Sequence, residues 1–85
     1  MSKLDILVEL YGGNFNIAVG FDNAIIGFDE EQQRVVYSAK KCVQILMKEE
    51  RLTYNDALDF YSEISRPNTR YNKDNEPIFC NDLLL

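Results

Sequence analysis

The chain has 85 residues, of which 46% are hydrophobic and 27% charged, and its formal net charge at pH 7 is −5. This length fits one domain, so we expect residues 1–85 to fold as a single unit around a modest core. The excess of acidic side chains disfavours nucleic acid and anionic membranes as partners, because both are bound through Lys and Arg. A basic protein surface is the favoured partner, although solubility alone also accounts for mild acidity.

The sequence contains no histidine and two cysteines, Cys42 and Cys80. The lack of histidine excludes Ser-His-Asp and Cys-His catalytic groups and a closed zinc site within one chain. Residues 1–5 lack the features of a secretion signal, so we expect a cytoplasmic protein with reduced thiols. Both cysteines lie among apolar residues and are predicted to belong to the core. We therefore expect no enzyme activity, no cofactor and no metal site.

The first predicted element is a helix that Ser2 caps and that Gly12-Gly13 ends. Its predicted buried face consists of the apolar residues at helical spacing, which are Leu4, Leu7, Val8 and Tyr11. A turn over residues 20–23 follows.

Two short strands are predicted next, over residues 24–28 and 34–37, because both are rich in β-branched and aromatic residues. The polar link between them is too short for a crossover helix, so the strands are expected to form a hairpin. A last strand is predicted over residues 77–80, with Pro77 at its first position.

Two amphipathic helices lie between the second and third strands, with Ser38 and Thr53 as their predicted N-caps. Their predicted buried faces are Ala39, Cys42, Val43, Leu46 and Met47 in one helix and Tyr54, Ala57, Leu58, Tyr61 and Ile64 in the other. The expected fold class is α+β, with three helices and a small antiparallel sheet made of the hairpin and the C-terminal strand.

The link between the first two strands is acidic, since it contains Asp29, Glu30 and Glu31. A catalytic carboxylate would be buried with a raised pKa, whereas these residues are predicted to lie in a turn. A calcium loop needs oxygen ligands at alternate positions around a glycine, and the link lacks that pattern. We interpret the link as a solvated turn that a partner can contact.

The segment over residues 66–76 interleaves basic and aromatic side chains, a pattern that is used to hold single-stranded nucleic acid. The residues concerned are Arg66, Arg70, Tyr71 and Lys73. The acidic Asp74 and Glu76 weaken this interpretation, so a surface loop is favoured. These four residues, together with the acidic link, are the candidate partner-binding residues.

Four segments resemble a family of small uncharacterised proteins from phages and prophages. They are GFDNAIIGF (20–28), RVVYSAKKCVQILM (34–47), LTYNDALDFYSE (52–63) and PIF (77–79). The family segments look like GFDDAIIG, a VVYD strand-to-helix junction, an ILM helix, MTYEEALEYFEFN and TPIF. The resemblance covers most of the chain in the same order and implies a phage or prophage gene product.

The chain departs from this family pattern at three places. Ser38 stands where the family usually has Asp, and both residues cap helices. The third helix ends in YSEIS rather than FEFN, and RPNTRYNKDNE replaces a Gly-Ala-rich segment before the last strand. The resemblance assigns no activity and no functional residue.

Three functions remain open from the sequence. The first is an accessory phage protein that binds a host protein, a class that includes inhibitors of bacterial defence systems. The second is a structural or self-associating phage protein, such as a homodimer, since the core is small and the chain ends in three leucines. The third is a small enzyme or nucleotide binder that uses carboxylates. The sequence lacks the usual acid–base and phosphate-binding features of such proteins.

Overall fold

A computed structural model of the chain describes residues 2–66 and 76–84. Its elements in chain order are α1 (Lys3–Tyr11), a short 3-10 helix (Asp22–Ala24), β1 (Ile25–Asp29), β2 (Arg34–Ser38), α2 (Ala39–Glu49), α3 (Tyr54–Ile64) and β3 (Ile78–Cys80). The predicted α+β class, with three helices and a small sheet, is confirmed. No helix in this part of the chain is long and apolar enough to cross a membrane.

The three strands form one sheet in the order β1-β2-β3. As predicted, β1 and β2 form an antiparallel hairpin, in which Asp29 lies opposite Arg34. The third strand pairs with β2 in parallel, with Val36 beside Ile78. The sheet is therefore mixed rather than wholly antiparallel, because the long connection that includes α2 and α3 returns the chain to the start of β2 before β3 begins.

The predicted N-caps of all three helices and the predicted stop of α1 are confirmed. Ser2 forms a capping box with Asp5, and Gly12 ends α1 in the left-handed conformation at φ 89°. The hydroxyls of Ser38 and Thr53 accept hydrogen bonds from backbone N–H groups in the first turns of α2 and α3. Each cap satisfies a donor that the helix itself leaves unpaired.

The core is built around α2, which packs against α3, β2 and the 3-10 helix. Its most deeply buried residues are Ala24, Val35, Tyr37, Ala39, Cys42, Val43 and Ala57. The phenol oxygen of Tyr37 accepts a hydrogen bond from the N–H of Ala18 at 2.9 Å, so this buried polar group has a partner. The predicted buried face of α2 is therefore correct at Ala39, Cys42, Val43 and Leu46 and wrong at Met47.

Four predicted core positions are wrong. Val8, Met47 and Tyr54 are 46%, 38% and 49% exposed, because each helix meets its neighbours along a stripe narrower than its apolar pattern. Cys80 is also exposed, at the end of the edge strand β3. In the C-terminal leucine run, Leu83 packs against the core while Leu84 is fully exposed.

Candidate binding surface

The acidic link forms an ordered turn between β1 and β2. One carboxylate oxygen of Asp29 accepts hydrogen bonds from the backbone N–H groups of Glu31 and Gln32, at 3.0 and 3.1 Å. The side-chain amide of Gln33 donates to the carbonyl of Glu30 at 2.8 Å. Gln33 itself has φ 55°, which non-glycine residues adopt infrequently. We call residues 29–34 the hairpin turn; within it, Asp29 shapes the backbone.

Three partly buried aromatic rings pack beside the hairpin turn. Tyr11 and Phe28 are stacked with ring centroids 4.3 Å apart, and Phe15 meets Phe28 edge-on at 5.3 Å. The Tyr11 hydroxyl donates a hydrogen bond of 2.8 Å to the Glu30 carboxylate. This bond raises the pKa of Tyr11, because the carboxylate stabilises the protonated phenol. The end of α1 is thereby connected to the turn.

The hairpin turn can bind a cationic side chain. Glu30 and Glu31 are exposed, and the Glu31 carboxylate has no hydrogen-bond partner among the described residues. A Lys or Arg of another molecule can pair with these exposed carboxylates. The turn therefore offers exposed negative charge to a cationic side chain.

Arg66 lies two residues after the end of α3 and is not part of the hairpin turn. It forms an exposed ion pair of 3.4 Å with Glu63. It also lines a cleft of about 420 Å³ with Arg34 and Glu76. Arg34 donates to the carbonyl of Glu76 at 2.7 Å and to the side-chain carbonyl of Gln32 at 2.8 Å. Arg34, rather than Arg66, thus connects the hairpin turn to the start of β3.

The structure gives the candidate residues different surroundings. The three acidic ones share the hairpin turn, and Arg66 borders the cleft beside it. The remaining candidates, Arg70, Tyr71 and Lys73, lie outside the described residues, so their role stays a prediction.

Sequence reasoning missed the groups that support the turn. Phe28 and Arg34 flank the acidic link directly, so the hairpin pairing could have pointed to both. Tyr11 was predicted as a core residue, which fits its partial burial but not its bond to Glu30. No local signal places Phe15 beside Phe28, because the connection before β1 has no regular pattern.

A second carboxylate occupies the other end of β2. Asp82 accepts a hydrogen bond of 2.5 Å from the Ser38 hydroxyl and one of 2.8 Å from the backbone N–H of Lys40. These two bonds, with the Ser38 hydroxyl first, lower the pKa of the Asp82 carboxyl. We call Ser38, Lys40 and Asp82 the capped end. It joins the segment after β3 to the start of α2, a contact that sequence reasoning missed.

Within residues 2–66 and 76–84, no group of three or more Asp, Glu or Cys side chains is arranged to hold a metal ion. Comparison with protein-family models, with curated proteins and with solved structures finds no match for this chain. The function is therefore proposed from the residues of the site together with the sequence resemblance described above.

Proposed function

We propose that this chain is a phage- or prophage-encoded accessory protein that acts by binding a host protein, with the hairpin turn as its contact surface. The partner is a protein with a basic surface. Inhibition of a bacterial defence system is the narrower form of this proposal. Its only support is the phage or prophage origin that the resemblance implies, since neither the resemblance nor the site assigns an activity.

The observation that carries the proposal is the hydrogen bonding of an exposed acidic turn. Hydrogen bonds that involve side chains hold the residues of the turn to one another, to Tyr11 and to Glu76. A loop that is already fixed in one conformation loses less entropy when a partner binds it. The fold thus orders a surface whose two exposed carboxylates do not contribute to the core.

Charge supports the same partner. The chain carries a net charge of −5, and a field of one sign speeds encounter with a surface of the opposite sign. Because the turn is exposed, salt should screen this attraction over a Debye length of about 8 Å at physiological ionic strength. Binding through the turn should therefore weaken as salt is raised.

Affinity capture from bacterial lysates tests the proposal. The full chain is immobilised and compared with the charge-reversed variant Glu30→Lys/Glu31→Lys and with a matched control, Glu9→Lys/Asp59→Lys, on exposed positions of α1 and α3. Captured proteins are quantified by mass spectrometry at low and physiological salt.

We expect the wild-type chain and the matched control to enrich the same basic protein, and the turn variant to lose it. A protein that is enriched equally by all three chains would show that the turn is not the contact surface. Failure of the wild-type chain to enrich any protein over bare resin would contradict the binding function itself.

Self-association is a second candidate function, favoured by a different surface. Ile6 and Ile26, which are 43% and 47% exposed, line one shallow depression beside the edge strand β1, and Leu10 is 66% exposed one turn further along α1. Exposed apolar patches and open strand edges are typical of interfaces. Sedimentation velocity over a range of concentrations tests this alternative: a dimer that Leu10→Ser abolishes supports it, and a monomer at every concentration rules it out.

A further inference from the structure

A groove of about 570 Å³ lies between the C-terminal part of α2, α3 and residues 18–23. Most of its lining is apolar: Val19, Phe21, Ile45, Leu46, Phe60 and Ile64. It shares no lining residue with the hairpin turn. The groove is therefore a separate surface, and what it binds goes beyond the function proposed for the turn.

Two large apolar side chains of the groove are left in solvent. Val19 is 84% exposed and Phe60 is 52% exposed. The exposure of Val19 follows from a turn in which the N–H of Phe21 donates to the carbonyl of Ala18 and Gly20 adopts φ 92°. Exposed apolar surface of this kind is typical of a contact site, where an aromatic residue serves as an anchor.

The α2 end of the groove is negatively charged. Glu49 and Glu50 both line it and both are exposed. Among the described residues, neither carboxylate has an ion-pair or hydrogen-bond partner. The last carbonyl groups of α2 add partial negative charge at the same place, because a helix leaves them without intrahelical donors.

We propose that this groove binds a short segment of a partner protein that carries a large apolar side chain close to a Lys or Arg. The apolar side chain contacts Val19 and Phe60, and the cation pairs with Glu49 and Glu50. Charge complementarity selects this occupant over a second copy of the chain, whose net charge of −5 would be repelled by an acidic groove.

Titration of the 15N-labelled full chain with synthetic peptides tests the inference. The probe is an amidated peptide of about 12 residues composed of Leu, Arg and Ser. Two matched peptides replace every Arg by Glu or every Leu by Ser. We expect saturable amide shifts at Val19, Glu49, Glu50 and Phe60 with the first peptide, and binding weaker by at least about tenfold with either matched peptide, which corresponds to about 1.4 kcal/mol.

Variants separate the two parts of the groove. Phe60→Ser and Glu49→Gln/Glu50→Gln should each weaken binding of the Leu-Arg peptide about tenfold or more, while Glu9→Gln/Asp59→Asn should bind it as the wild-type chain does. All these positions are exposed, and well-dispersed amide spectra establish that each variant is folded.

Four results would overturn the groove proposal. They are shifts confined to Glu30 and Glu31, equal binding of the peptide that lacks Leu, no saturable shift with any peptide, and groove shifts that depend only on protein concentration. The first of these leaves the turn proposal intact, and the last assigns the groove to a second copy. Conversely, suppose that the turn variant captures the same protein from lysate as the wild-type chain does, while the peptide still shifts the groove amides. That result would reject the turn proposal and leave the groove proposal standing.

Discussion

The two ends of β2 both present carboxylates, but in opposite settings. At the capped end, both oxygens of Asp82 are bonded to groups that begin α2. At the hairpin turn, Glu30 and Glu31 are exposed to solvent, and of these carboxylates only that of Glu30 is held by another side chain. The difference indicates that Asp82 serves the folded chain, whereas Glu30 and Glu31 leave charge exposed to solvent, as the proposed contact with a partner requires. Four measurements can break or sharpen this comparison.

The largest expected effect concerns the two thiols near the capped end. Cys42 is buried and Cys80 is exposed, and burial raises the pKa of the Cys42 thiol to about 12. Since the thiolate is the reactive form, its fraction at Cys42 is lower than at an ordinary thiol by roughly a thousandfold. We expect iodoacetamide to modify only Cys80 in the native chain and both thiols in urea, as counted by mass spectrometry. Rapid labelling of Cys42 in the native chain would show that its thiol is accessible to solvent rather than buried.

Loss of the cap should come next in size. Ser38→Ala removes the acceptor for the Lys41 N–H and the donor to Asp82, which should lower the free energy of unfolding by about 1–2 kcal/mol. Thr53→Ala is the matched control, since Thr53 caps α3 at an exposed site. We expect Ser38→Ala to cost more in urea denaturation. Equal costs would mean that Asp82 adds nothing to the cap.

Acid should weaken the capped end. The pKa of Asp82 is lowered in the folded chain, so its contribution to stability is complete above the pKa of an unfolded Asp, about 3.9. That contribution is lost as the pH falls through the lower folded-state pKa. Asp82→Asn should therefore show a smaller loss of stability below about pH 4 than the wild-type chain, and the exposed-site variant Asp59→Asn should behave as wild type. Parallel curves for all three would contradict the assignment.

The smallest effect on folding is expected at the hairpin turn. Glu30→Gln/Glu31→Gln keeps an acceptor for the Tyr11 hydroxyl and removes only exposed charge. The free energy of unfolding should change by less than about 0.5 kcal/mol, as measured by urea denaturation. A larger loss of stability would mean that the Glu30 and Glu31 carboxylates stabilise the fold, as Asp82 does.

Local features of this chain could be predicted from sequence. The caps Ser2 and Thr53 and the stop at Gly12 depend on neighbours within a few residues, and all three are confirmed. The parallel pairing of β3 could not be predicted, because the direction of a strand after two helices depends on how those helices pack. Tyr54 looked like a core residue, yet it is the first residue of α3 and is half exposed.

In the candidate site, too, local features could be predicted from sequence and contacts between distant residues could not. The acidic link could be predicted from three consecutive acidic residues. Glu30 and Glu31 are confirmed in the turn, whereas Asp29 is the last residue of β1 and pairs with Arg34. Its aromatic support could not be inferred, since Tyr11 and Glu30 are 19 positions apart. The bond from Ser38 to Asp82 spans 44 positions, which no periodicity links.

The central claim is that Glu30 and Glu31 serve partner binding rather than stability. Its most direct test measures affinity and stability in the same two chains. The dissociation constant of the protein captured from lysate is measured by titration calorimetry for the wild-type chain and for Glu30→Gln/Glu31→Gln, beside their free energies of unfolding. The account predicts affinity weaker by at least about tenfold, or about 1.4 kcal/mol, at unchanged stability. Equal affinities would contradict it.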